Sequence, residues 1–176
     1  GIGGVLGGSG YIKNCYSSAT VIDQIANNTG KAGGIIGRVN GNASGSSIEN
    51  CYTSGDINAI GGGNAGGIVG KVDGGKLVIK NCIAWNSMLV STDKAKVGRI
   101  VGGTANATYE NCYAYDGMIL KAGEATFTVS DETSPSGSSF QGVAKSANEL
   151  KNTVINWDSS LWKEGGNGYP VFKWSK

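Results

Sequence analysis

The chain has 176 residues, 39% of them apolar, and a formal net charge of +2. That length suits one ordinary domain with a core and excludes two large ones. Dispersed lysines with only Arg38 and Arg99 beside them exclude the basic footprint of a nucleic-acid binder, and the lack of histidine excludes Ser-His and Cys-His hydrolases.

Glycine stands out, at 31 residues where ~7% is ordinary. Proline is scarce and no Gly-X-Y triplet runs through the chain, so it is not collagen-like. The glycines recur beside Ile and Val, which points to tight corners between short strands. In chain order a glycine phrase opens at Gly3, Gly33, Gly66 and Gly98. A second phrase follows each time: Asn14-Cys15-Tyr16, Asn50-Cys51-Tyr52, Asn81-Cys82-Ile83 and Asn111-Cys112-Tyr113. Seven residues past each Asn stands an apolar residue: Val21, Ile57, Met88 and Met118. A period near 31 residues marks a solenoid, propeller or array.

Around each Cys the side chains alternate. Cys and the residue two beyond it are small, and the residue between them is large: Tyr16, Tyr52, Ile83, Tyr113. One strand face is therefore small and inward, the other a tyrosine-rich column. Ile12, Ile48, Ile79 and Tyr109, three before each Cys, fall out of phase unless the chain bends at the Asn. Asn tolerates the left-handed conformation such a bend needs. Stacked Asn side chains would then bond to one another. The period fits a coil of three short strands stacked in parallel ~4.8 Å apart. The expected fold is all-β: a parallel β-solenoid (β-helix) of about four coils, with Val5, Ile35, Ile68 and Ile100 stacked inside. A propeller with antiparallel blades is the alternative.

The four cysteines hold one repeat position, form no CxxC pair and have no histidine near them. They are expected as a buried, reduced packing column with no metal, since stacked Cβ atoms ~4.8 Å apart exceed the ~3.8 Å a disulfide prefers. Turn-rich stretches such as Asn40-Gly41-Asn42-Ala43-Ser44-Gly45 should point outward. Residues 1–130 form the repeats and 131–176 a cap. The latter begins polar, from Ser130 to Ser139. It continues with a capping-box helix start (Ser146, Glu149) and ends in Trp157, Trp162 and Trp174. Trp157 and Trp162 are expected to be buried over the open end of the stack.

Gly-Gly-Ile-Val-Gly at 66–70, with Ile48-Glu49-Asn50-Cys51-Tyr52-Thr53-Ser54-Gly55-Asp56-Ile57, resembles the GLUG-motif repeats of bacterial surface proteins. The ending, Ala147-Asn148-Glu149-Leu150 through Trp157, Trp162 and Gly168-Tyr169-Pro170-Val171-Phe172, is similar to the tail closing such arrays in Bacteroides-type proteins. Departures are Arg99 for the second Gly, Ile83 for Tyr, and Ala19 for a Gly-like residue. The resemblance implies a secreted or cell-surface module, often attached to adhesins or to proteases that cleave immunoglobulin. It implies no catalytic residues within the repeats.

Few residues offer chemistry. Gly61-Gly62-Gly63-Asn64-Ala65-Gly66 matches GxGxxG, but no strand-helix-acid frame surrounds it, so it reads as a turn. Asp56, Asp73, Asp93 and Asp116 are scattered, solvated turn residues. Glu49 and Glu110 share a repeat position two coils apart, roughly 10 Å by strand spacing. They are the one pair a β-helix glycosidase or polysaccharide lyase could use. Tyr16, Tyr52 and Tyr113 could stack on sugars. The expectation is a non-catalytic, extracellular or cell-surface module for adhesion, glycan or host-protein binding, or spacing. It needs no cofactor, nucleic acid or membrane span. The opening Gly1-Ile2-Gly3-Gly4 lies inside a repeat, so further repeats or domains of a parent chain are expected, with any export signal cut away. A carbohydrate-active enzyme is the alternative.

Overall fold

A computed structural model describes residues 1–41, 44–74, 76–103, 107–134 and 138–175. Residues 42 and 43 of the outward turn, and 135–137 of the polar stretch, lie outside the described residues. The chain winds into a parallel β-solenoid of four coils. The first contributes β1 (Gly3–Leu6), β2 (Tyr11–Lys13), β3 (Tyr16–Ser17), β4 (Val21–Asp23) and β5 (Lys31–Gly33). The second contributes β6 (Ile36–Val39), β7 (Ser44–Glu49), β8 (Tyr52–Thr53), β9 (Ile57–Ala59) and β10 (Asn64–Gly66). The third contributes β11 (Val69–Val72), β12 (Lys76–Lys80), β13 (Ile83–Ala84), β14 (Met88–Ser91) and β15 (Val97–Gly98). In the fourth, Val101 bridges to Val69, and β16 (Ala107–Glu110), β17 (Tyr113–Tyr115) and β18 (Ile119–Ala122) follow. Equivalent strands pair in parallel and build five walls.

A full coil thus has five strands, not three, because two corners split what would be longer ones. One corner is the Asn. Asn14, Asn50, Asn81 and Asn111 all adopt left-handed backbone, with φ of 52°, 52°, 50° and 49°. The bend restores the phase, and Ile12, Ile48, Ile79 and Tyr109 stand in register. The other corner is the second glycine of the phrases opening at Gly33 and Gly66, namely Gly34 and Gly67. A Cβ at Gly34 would sit 2.3 Å from the Gly67 carbonyl and 2.5 Å from Thr53 Cγ2, closer than real Cβ atoms come.

The core is the stack of inward residues: Ile35, Ile68 and Ile100, with Val39 and Val72, Ile48 and Ile79, and the inward thiols. Pairing corrects two alignments. Gly3 pairs with Ile36 and Val5 with Arg38, so Ile2, not Val5, is equivalent to Ile35. Val5 is 63% exposed. The run Gly3-Gly4-Val5-Leu6-Gly7 imitates the phrase three residues late. Ile57 likewise pairs with Leu89, which pairs with Leu120, so Met88 and Met118 are not the stacked residues. Coils three and four carry extra residues between the Asn corner and this strand.

Beyond coil four, residues 123–134 and 138–145 lie over the end of the stack. β19 (Ala125–Phe127) turns back antiparallel on β18. Phe140 bridges antiparallel to Val101 and lies 3.9 Å, centroid to centroid, from the Tyr109 ring. β20 (Val143–Lys145) adds a fifth strand to the tyrosine wall. The helix follows as expected: α1 (Ala147–Trp157) has Ser146 as N-cap and a complete capping box with Glu149. β21 (Trp162–Glu164) and β22 (Pro170–Phe172) then form a hairpin. Helix and hairpin do not cover the open end. They lie on the side wall, over the tyrosine column.

Candidate functional site

The tyrosine wall is the first candidate, because the alternation of β3, β8, β13 and β17 aims Tyr16, Tyr52, Ile83 and Tyr113 outward in register. Tyr16 and Tyr52 stack with ring centroids 5.2 Å apart and planes 6° apart. At Tyr52 the face is not open to a ligand. Tyr52 is 1% exposed, and its hydroxyl donates to the Pro170 carbonyl. Burial, the largest influence on the Tyr52 phenol, pushes it well above its ordinary value. Trp162 packs against both tyrosines, Phe172 against Tyr16, and Tyr169 edge-on against Trp85 at 4.8 Å. Tyr113 keeps partial exposure, with Lys145 Nζ 3.6 Å over its ring. Of the three tyrosines expected to stack on sugars, Tyr52 is buried and Tyr16 and Tyr113 are half-buried, with the chain's own tail packed against the column. Trp162 is buried, Trp157 half-buried, and Trp174, stacked on Phe172, stays 67% exposed.

The carboxylates come next. Glu49 and Glu110 do not face each other across a groove. On the outer face of one wall, Lys13, Glu49, Lys80 and Glu110 stand in register, alternating in sign. Lys13 bonds Glu49 at 2.9 Å and Lys80 bonds Glu110 at 2.8 Å. The hydrogen bond from Lys13 holds the Glu49 carboxyl below its ordinary value, and the one Lys80 donates to Glu110 holds Lys80 above its own. A general acid needs the opposite shift. The alternation was visible in the sequence, because the residue before each Asn reads Lys, Glu, Lys, Glu. A neighbouring wall repeats the idea: Asp73 binds both Arg38 and Lys71. Burial works against ionising Asp73, but the two cations still hold its carboxyl below the ordinary value.

The cysteines form the inward column. All four are free thiols, and Cys51, Cys82 and Cys112 are buried. Their Sγ atoms donate to the carbonyls two residues back and, at 3.4–3.9 Å, to Ile12, Ile48 and Ile79 of the coil beneath. Burial pushes the Cys112 thiol up to about 12. Such thiols are poor nucleophiles and metal ligands. Among the described residues, no three groups of metal-ligating type gather in one place. GxGxxG is a turn: Gly62 has φ of 87°, and Asn64-Ala65-Gly66 enters β10. Asp56 accepts from the Met88 amide and Asp93 from the Ala95 amide.

Two features escaped the sequence. One is a cavity of about 370 Å³ at the closed end, lined by Tyr109, Glu110, Asn111, Glu132 and Phe140 among others. Its carboxylates are engaged: Glu110 by Lys80, and Glu132 by the Gln141 amide at 2.9 Å. The other is Arg99. Where earlier coils have glycine, its buried guanidinium donates to the Gln141 and Gly142 carbonyls at 3.1 and 2.8 Å and to Asp131 at 2.7 Å. The departure from the repeat marked this tether, although its partner 32 residues on was not legible.

Fold and wall define the class, a parallel β-solenoid repeat module packed against its own C-terminal tail. No family model matches the chain, and no curated protein matches it. It is similar to a solved structure, that of a putative immunoglobulin A1 protease from Bacteroides ovatus. Identity is 49% and the TM-score 0.84, over 94% of this chain and 48% of that one. The chain is a β-solenoid repeat protein related to that bacterial protein and spans about half its length. Among the described residues no helix is long and apolar enough to cross a membrane.

Proposed function

We propose that the chain is a non-catalytic, GLUG-type structural module of a secreted or cell-surface bacterial protein, acting as a rigid spacer that presents neighbouring domains. The observation carrying this reading is the occupied wall. The column of repeated aromatics, the natural place for multivalent sugar stacking, is packed under residues 146–175. The ion ladder supports the non-catalytic part, since the repeated carboxylates are each neutralised by a lysine in the adjacent coil. The immunoglobulin A1 protease name belongs to the longer relative. Any such activity here would require groups outside this module.

The test uses the purified chain on a glycan array, on immobilised host glycoproteins, and with immunoglobulin A1 and polysaccharides as substrates. The spacer reading expects neither retention nor turnover. Saturable binding to a glycan or host protein would establish an adhesin instead. Turnover abolished by Glu49→Gln or Glu110→Gln would establish the carbohydrate-active enzyme.

A further inference from the structure

The two ends of the solenoid differ. Beyond coil four, antiparallel β19 and the antiparallel Phe140 bridge end two of the walls, and only β20 adds one more parallel strand, to the tyrosine wall. At the other end β1, β2, β3, β4 and β5 are the outermost strands of their walls. Ile2, Val5, Tyr11, Ile22 and Ile25 are exposed there, five of the eight large apolar side chains exposed among the described residues. Unpaired strand edges flanked by apolar groups are templates for further pairing.

Three ladders also run out at this end, each in mid-pattern. Asn50, Asn81 and Asn111 each donate Nδ2 to the Oδ1 of the coil beneath, at 3.2, 3.0 and 3.2 Å. Among the described residues no carboxamide lies beneath Asn14. Cys51, Cys82 and Cys112 reach a carbonyl of the coil beneath, whereas among the described residues the carbonyl Cys15 reaches is that of Lys13 in its own coil. The charge alternation ends on Lys13, whose register partner above is Glu49.

We propose that this edge is a docking surface for one further parallel coil of the same repeat type, with an Asn beneath Asn14 and an acidic residue beneath Lys13. A second copy of the chain fits less well. Its far end carries antiparallel elements, and joining two near ends would set ladder donor against ladder donor. The acidic residue follows from charge complementarity, since like charges in register across neighbouring strands destabilise a sheet. The proposal goes beyond the spacer reading and does not depend on it.

The test supplies such a coil. A copy of residues 34–66 is placed directly before Gly1, which shares the register of Gly34 because Gly3 pairs with Ile36. Glu49 of the added coil then faces Lys13, and its Asn50 faces Asn14. Hydrogen exchange of the β1–β4 amides should slow at least tenfold, and Tm should rise. Glu49→Lys in the added coil alone should lose part of both gains. Unchanged β1–β4 exchange, or a Glu49→Lys form indistinguishable from its parent, would overturn the proposal. So would a dimer of the 176-residue chain in which those amides are already protected.

Discussion

Asn50 offers the sharpest test of the corner. It holds left-handed backbone at φ 52°, gives one ladder bond to Asn14 and receives one from Asn81. Alanine removes both bonds and forces a Cβ-bearing residue without a local polar side chain into that conformation. Two part-buried hydrogen bonds at about 1 kcal/mol each, plus about 1 kcal/mol for the backbone, give about 3 kcal/mol. Glycine loses the same bonds but none of the backbone term, giving about 2 kcal/mol. In a domain of this size these translate to Tm losses of roughly 6–12 °C and 4–8 °C. Urea unfolding of wild type, Asn50→Ala and Asn50→Gly, with similar m-values, reads the difference directly. If glycine proves as damaging as alanine, the left-handed corner is not what selects Asn.

Cys112 should resist alkylation in the native chain at pH 8 and react readily after denaturation; labelling at a free-thiol rate would contradict its burial. The folded state favours its neutral thiol. That contribution is therefore complete below the unfolded value near ~8.5 and should fade as pH rises toward about 12, visible as falling Tm. Arg99→Gly restores the repeat glycine but cuts the tether, and should destabilise by about 2–4 kcal/mol, measured by denaturation. Arg99 holds the Asp131 carboxyl below its ordinary value, so this contribution is present at neutral pH and lost on acidification. The acid limb of the stability profile should flatten in Arg99→Gly. Truncation after Lys145 should leave the strand signal in circular dichroism but bare the tyrosine wall, raising dye binding and self-association. A truncated chain that stays monomeric and dye-silent would show the tail to be incidental.

Repetition made most of the coil legible. Four Asn-Cys phrases were enough to locate the left-handed corner, the inward thiols and the outward tyrosines, because side-chain alternation and the tolerance of Asn are local properties. The misalignments share one cause. Gly3-Gly4-Val5-Leu6-Gly7 and the Met pair satisfy a spacing rule, while register is decided by hydrogen bonding to the next coil, which tolerates extra residues at turns. The aromatic and partly helical character of the tail is legible in the sequence, but the surface it packs on, the side wall over the tyrosine column, is not. Trp162 and Tyr169 find partners in coils more than 80 residues away, and aromatic content does not encode which apolar face is to be covered.

That placement changes how the rod comes apart. A bare solenoid unwinds from its ends, each coil held only by its neighbours. Here one short tail touches all four coils: Phe172 meets Tyr16, Pro170 receives Tyr52, Tyr169 meets Trp85, and α1 lies with Tyr113. It acts as a splint laid along a stack of rings. Pulling one coil from the stack must first lift the splint from the others, which converts stepwise fraying into a single cooperative break. Under tension such a module should hold its full length until one threshold force and then give way at once.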